Sequence, residues 1–134
     1  FGLENQYYSF NQKNVHFLAL STETSFDEDS EQYAFAKQDL EKYSKDPFID
    51  WIIVFYHQYM YGSGSGLEEE KDFRETYHPL FDKYGVDLVF SSDNHNYQRT
   101  FPLEYNNNAD SSNPIIICFL LQYNLISKNI QTFS

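Results

Sequence analysis

The sequence predicts an α/β protein, and three observations carry that prediction. Trp51–Tyr56 (WIIVFY) is an unbroken run of β-branched and aromatic residues, Val86–Phe90 (VDLVF) is a second apolar stretch, and helical periodicity precedes each of them. Strands that alternate with helices build a parallel sheet, because a parallel partner is reached only through a crossover.

The elements follow in chain order. In Tyr7–Leu20 (YYSFNQKNVHFLAL), Tyr8 and Phe10 alternate, Asn11–Asn14 supply turn residues, and Val15, Phe17 and Ala19 continue the alternation, which predicts a hairpin. Asp29 has N-cap chemistry, with Gln32 three positions on as its capping-box partner. Tyr33, Ala36, Leu40 and Tyr43 then recur at helical intervals, so a helix is expected from about Ser30 to Ser44, stopped by Pro47. The continuous apolar character of Trp51–Tyr56 predicts a strand buried on both faces. Gly62–Gly66 (GSGSG) reads as a mobile loop. Phe73, Tyr77, Leu80 and Tyr84 mark a second helix, in which Pro79 predicts a kink or a restart and Gly85 the end.

Composition narrows the function classes. A chain of 134 residues, 41% hydrophobic and 19% aromatic, can bury one real core, which sets it apart from disordered sequences. Its net charge of −11, with no clustered basic face, argues against nucleic acid as a partner. The most apolar run, Ile115–Ile126, is interrupted by Gln122, Tyr123 and Asn124 and falls short of the ~20 residues a bilayer requires. Cys118 is the only cysteine, so the chain can form neither an internal disulfide nor a thiolate zinc cage. The sequence opens on Phe1 in mid-pattern, with no signal-peptide signature, and is expected to be a piece of something longer.

Sites in open α/β sheets gather beyond the carboxyl ends of strands. Two predicted strands here end in histidine-bearing segments. WIIVFYHQYMY delivers His57, and VDLVFSSDNHNYQRT delivers Asp93 and His95. If the two strands are adjacent, these residues are neighbours, and imidazole with carboxylate suits zinc, iron or manganese.

Together, YYSFNQKNVHFLAL, DWIIVFYHQYMY and VDLVFSSDNHNYQRTFPL resemble the C-terminal half of the catalytic domain of a purple acid phosphatase-like metallophosphoesterase, within the calcineurin-like superfamily. The resemblance covers about Tyr7 to Leu103. It implies an αββα sandwich of which residues 1–134 form the C-terminal part, with 114–134 a divergent or truncated tail. It also implies hydrolysis of small phosphate monoesters at a dinuclear centre of iron with zinc, manganese or iron. His95 would hold the first metal and His57 the second, and the compartment would be extracytoplasmic.

Departures from the family pattern are as informative. Ser92 and Asp93 stand where the family has Gly and a first metal-binding His. A carboxylate can bind zinc at ~2.0–2.2 Å, but it is shorter than imidazole, so weakened or lost second-metal binding is expected at Asp93. Ser92 is expected to resist a positive φ that Gly would accept. The family's upstream Asp, Asp-x-x-Tyr and Asn-His blocks are absent from residues 1–134, so the dinuclear site is expected to be incomplete here. The alternatives to an enzyme are a degenerate fold acting as a binding or structural module, and a module that associates with a missing N-terminal half or with itself.

Other candidates point away from the site. His16 and His78 are expected to be solvated, Asp87 to cap a turn, and Tyr97 and Arg99 to support or pack. Asp27–Asp29 lacks the glycine and terminal Glu of a calcium loop and is expected to be a solvated start of the first helix.

Overall fold

The computed structural model describes residues 6–58, 60–61, 71–92, 98–105 and 115–119. Asp93, His95, Tyr97, the Gly62–Gly66 loop and most of the expected 114–134 tail lie outside these residues. The elements are β1 (Tyr8–Gln12), β2 (Val15–Ala19), α1 (Glu31–Tyr43), β3 (Trp51–Phe55), α2 (Lys71–Tyr84), β4 (Leu88–Ser91), β5 (Gln98–Arg99) and β6 (Ile116–Phe119). They form one sheet of order β1-β2-β3-β4-β6-β5. β2, β3, β4 and β6 run parallel, and an antiparallel strand flanks each side. The two predicted apolar strands are therefore direct neighbours, with Ile53 opposite Leu88 and Phe55 opposite Phe90.

The hairpin forms as its alternation predicts, turning through Lys13 at φ 56°. Positive φ at the first turn residue matches the twist of the flanking strands. Helix α1 starts one residue later than the capping pattern suggested. Ser30, in extended conformation, caps it by accepting from the Tyr33 amide at 3.1 Å. Gln32 does not reach back to the cap, because it points into the core. Its side chain accepts from the Ser21 amide at 2.7 Å and donates to the Ser21 carbonyl at 2.9 Å, tying α1 to the chain leaving β2.

Helix α2 runs through Pro79 without the expected restart. A proline costs a helix one hydrogen bond, and the buried stripe of Phe73, Tyr77, Leu80 and Phe81 on both sides of it offsets that loss. The stop is as predicted: Gly85 takes φ 67°, its amide donates to the Asp82 carbonyl, and the Val86 amide donates to the Phe81 carbonyl. This is a Schellman closure, which uses the glycine's tolerance of left-handed φ.

Both helices pack on one face of the sheet. Leu18, Val54, Val89 and Ile117 lie in a cross-strand row, completely or almost completely buried, beneath Ala36, Leu40, Phe73, Tyr77 and Phe81. The expected two-sided burial of Trp51–Tyr56 is met on that face alone, at Ile52, Val54 and Tyr56. Trp51 on the other face is 55% exposed, as are Tyr8 and Phe10 to nearly the same extent, because no described element covers them.

Two histidines depart from expectation. His16, expected in solvent, is completely buried on the helix side. Its Nδ1 lies 2.6 Å from Asn11 Oδ1, its Nε2 lies 2.6 Å from Asp39 Oδ2, and the Tyr43 ring stacks on it at 3.8 Å. Ser9 donates to the other Asp39 oxygen at 2.7 Å. His78 is also completely buried. In both cases one polar residue on an otherwise mixed element finds partners on a neighbouring one, which periodicity does not reveal. Asp87, expected to cap a turn, instead ties two strands together: its carboxylate accepts from the Ile52 amide of β3 at 2.7 Å. Burial pushes its pKa up, and that amide opposes the shift.

Candidate metal centre

Parallel pairing brings the carboxyl ends of β2, β3 and β4 to one edge. The ladder between β3 and β4 continues past both strands. The Tyr56 amide donates to the Phe90 carbonyl at 3.1 Å, and the Ser92 amide donates to the His57 carbonyl at 2.9 Å. His57 and Ser92 therefore leave the sheet side by side, on the face away from the helices.

Their side chains meet. His57 Nδ1 lies 2.7 Å from Ser92 Oγ, and the Ser92 hydroxyl lies 3.2 Å from the His57 carbonyl, to which it donates. A serine hydroxyl has one proton. With that proton on the carbonyl, Nδ1–H is the donor to Oγ, and the lone pair resides on Nε2. The roles at Nδ1 follow the tautomer, and this arrangement is the one that keeps the lone pair on Nε2. A histidine whose Nδ1–H is held by an oxygen, with Nε2 turned the other way, has the chemistry of a metal ligand supported by an outer partner.

Ser92 itself corrects an expectation. Lys13 is the only described non-glycine residue with positive φ, so Ser92 is under no such strain. Its amide donates to the His57 carbonyl, prolonging the pairing of β3 and β4 by one step. The residue that replaces the family's glycine here holds His57 in place.

Asp93 is the next residue in the chain, and it and His95 lie outside the described residues. Of the three sequence-predicted ligands, His57 alone is described, and no group of three or more potential metal-binding side chains occurs among the described residues. The donor set fits a metal in kind: an exposed imidazole at the end of β3, with a carboxylate and a second imidazole following Ser92 in the sequence. Arg99, in β5, is exposed.

A cleft of about 300 Å³ opens beside His57, lined by Tyr8, Leu20, Ser21, Thr22 and Glu23 among others. The segment after β2 is thus part of this edge, anchored by the Leu20 amide on the Phe55 carbonyl at 3.0 Å. Sequence reasoning missed it because this strand ends in no histidine, although the strand-end rule applies to it equally. A larger cleft of about 520 Å³, lined by Thr24, Ser25, Asp29 and Glu31 among others, does not include His57.

Behind the edge, α2 carries His78. Its Nδ1 meets the Tyr61 hydroxyl at 2.7 Å, and Asp82 Oδ1 lies 3.3 Å from its Nε2. That second approach is within ion-pair range but is not aligned as a hydrogen bond, so it acts through charge. Burial holds the His78 pKa below its usual value, with Asp82 opposing and Arg74 assisting.

No protein-family model matches the chain. Purple acid phosphatase 22 of Arabidopsis thaliana is 37% identical over 118 residues, covering 87% of this chain and 27% of that protein. Purple acid phosphatase 18 of the same plant is 35% identical over 114 residues, covering 84% and 26%. A purple acid phosphatase solved from yellow lupin (Lupinus luteus) seeds superposes with a TM-score of 0.73 at 28% identity, over 84% of this chain and 22% of that one. The chain spans about a quarter of the length of the curated relatives it matches.

Proposed function

The chain is purple acid phosphatase-like over the stretch it shares with those relatives, and from that premise we propose that it supplies one side of a metal centre that hydrolyses phosphate monoesters. The observation that carries this reading is the His57–Ser92 pair, which holds the His57 ring at the shared carboxyl edge of β3 and β4. His57, Asp93 and His95 are the proposed ligands, of a dinuclear centre of iron with zinc, manganese or iron. When bound, such a pair of cations supplies the Lewis acidity that activates water and offsets the charge of a phosphate dianion.

The chain's own residues have narrower tasks. His57 presents Nε2, and Ser92 fixes the ring's rotation. Asp93 brings a negative charge and a shorter arm than histidine, which weakens the second metal position. The cleft beside His57 admits the organic part of a small phosphoester. Three residues cannot fill two coordination shells, so further ligands are required for turnover. The family resemblance favours an extracytoplasmic setting, and no helix among the described residues is long and apolar enough to cross a membrane.

A second reading is a degenerate module that binds without turnover, favoured by Asp93 standing in place of a family histidine. Calorimetric zinc titration of the complete protein and its His57→Ala variant, paired with a p-nitrophenyl phosphate assay, separates the two. Loss of both binding and turnover in the variant supports the enzyme. Zinc binding without turnover in the parent supports the module. Unchanged zinc binding in His57→Ala overturns the assignment of His57.

A further inference from the structure

Met60 and Tyr61 follow His57 by three and four residues, and both are fixed to α2. Arg74 donates from Nη1 to the Met60 carbonyl at 3.2 Å, and its guanidinium lies 4.9 Å from the centre of the Tyr61 ring. The Tyr61 hydroxyl meets His78 Nδ1 at 2.7 Å, with the two rings edge-on at 5.6 Å. Met60 and His78 are both completely buried. Beyond His78 the network continues to the segment after β5: Asp82 Oδ2 accepts from the Tyr105 amide at 2.8 Å, and the Tyr105 ring stands edge-on to His78 at 5.5 Å.

We infer that His78 is a positioning residue for His57: by holding Tyr61, it fixes the path of the chain that leaves β3 and so the place at which His57 meets a metal. The inference rests on the assignment of His57 as a metal ligand. Its chemistry is specific. In the tautomer that carries its proton on Nε2, the neutral ring offers Nδ1 as an acceptor to the Tyr61 hydroxyl. A proton added at Nδ1 removes that acceptor, and the Tyr61 hydroxyl must turn from donor to acceptor or let go.

The groups facing the ring are Asp82 and Arg74 on α2, Tyr61 after β3, and the Leu103 carbonyl and Tyr105 after β5. Burial outweighs the Asp82 carboxylate and keeps the ring neutral below its usual titration range. The sign follows from linkage. A histidine whose pKa is depressed in the packed state binds protons more readily when released. The anchoring is therefore fully present above about 6.5 and is lost as pH falls through the depressed value. Acid loosens the His57 edge.

The test is zinc affinity by calorimetry on the complete protein, between neutral pH and pH 5, for the parent and four variants. Tyr61→Phe removes one hydroxyl and keeps the rings, and is expected to weaken zinc about two- to tenfold at neutral pH, the equivalent of one lost hydrogen bond. His78→Phe should do the same. His78→Asn keeps an acceptor near the position of Nδ1 but cannot titrate. It should bind like the parent at neutral pH and lose less affinity on acidification. His57→Ala reports on the underlying assignment. If His57→Ala abolishes binding while Tyr61→Phe and both His78 variants keep the parent's affinity and pH profile, the positioning role is wrong and the ligand assignment stands. If His57→Ala binds as the parent does, both fall. A lower melting temperature in the His78 variants with unchanged zinc affinity means His78 serves only the core, and overturns the inference.

Discussion

Replacing Ser92 by alanine removes a single oxygen from the candidate metal centre, yet that oxygen holds the rotation of the His57 ring through its 2.7 Å contact with Nδ1. A neutral hydrogen bond contributes about 0.5–1.5 kcal/mol net, and outer partners of metal-bound histidines change affinity by about 10–100-fold. His57 is exposed, so water can replace part of what the hydroxyl does, and the effect belongs at the low end. Zinc affinity should fall about five- to tenfold, or about 1 kcal/mol. Global stability should hardly move, because the Ser92 amide keeps its bond to the His57 carbonyl. Titration calorimetry and a urea denaturation curve measured on the same preparation separate the two quantities. Ser92→Gly should behave like Ser92→Ala, while Asp93→His alone should strengthen zinc binding. Zinc affinity within twofold of the parent in Ser92→Ala, or tighter binding in Ser92→Gly, refutes the role given to the hydroxyl.

Three further outcomes are expected. His16→Leu strands the Asp39 carboxylate and the Asn11 side chain behind the hairpin and should cost about 2–4 kcal/mol in urea denaturation; a loss under 1 kcal/mol sinks the idea that this cluster locks α1 to β1 and β2. The chain expressed by itself should self-associate through its open aromatic face and β1 edge, and Phe10→Lys with Trp51→Glu should shift light scattering toward the monomer; an unchanged mass contradicts this. The chain by itself should leave p-nitrophenyl phosphate unhydrolysed above background, and measurable metal-dependent turnover would show that fewer ligands suffice than a dinuclear site requires.

The fold was legible where one signal dominates. Trp51–Phe55 and Leu88–Ser91 are apolar enough to be strands in any context, and the spacing of Phe73, Tyr77 and Leu80 names a helix face even across Pro79. What escaped was pairwise. Nothing local distinguishes the buried His16 from a solvated one, since its fate depends on Asp39 arriving from a helix that begins far along the chain. Gln32 looked like a capping partner because its spacing was right, and only the packing of α1 against the Ser21 backbone shows why it turns inward. At the site, the strand-end rule located His57, but Ser92 seemed a defect when judged as a missing glycine. Its value lies in a hydroxyl aimed across the ladder, which a one-dimensional comparison with a motif cannot register.

The Schellman closure at Gly85 acts as the zero mark of a ruler. From there the chain passes straight into β4, and side chains alternate between the helix-covered face and the open one until Ser92 arrives beside His57. Inserting or deleting one residue between Gly85 and Ser92 would reverse that alternation, turning the hydroxyl toward the helices and Ser91 toward the edge. The distance in sequence between a helix stop and a metal ligand's neighbour is thus a quantity that selection can count, and a single-codon length change in this segment should be tolerated less well than most substitutions within it.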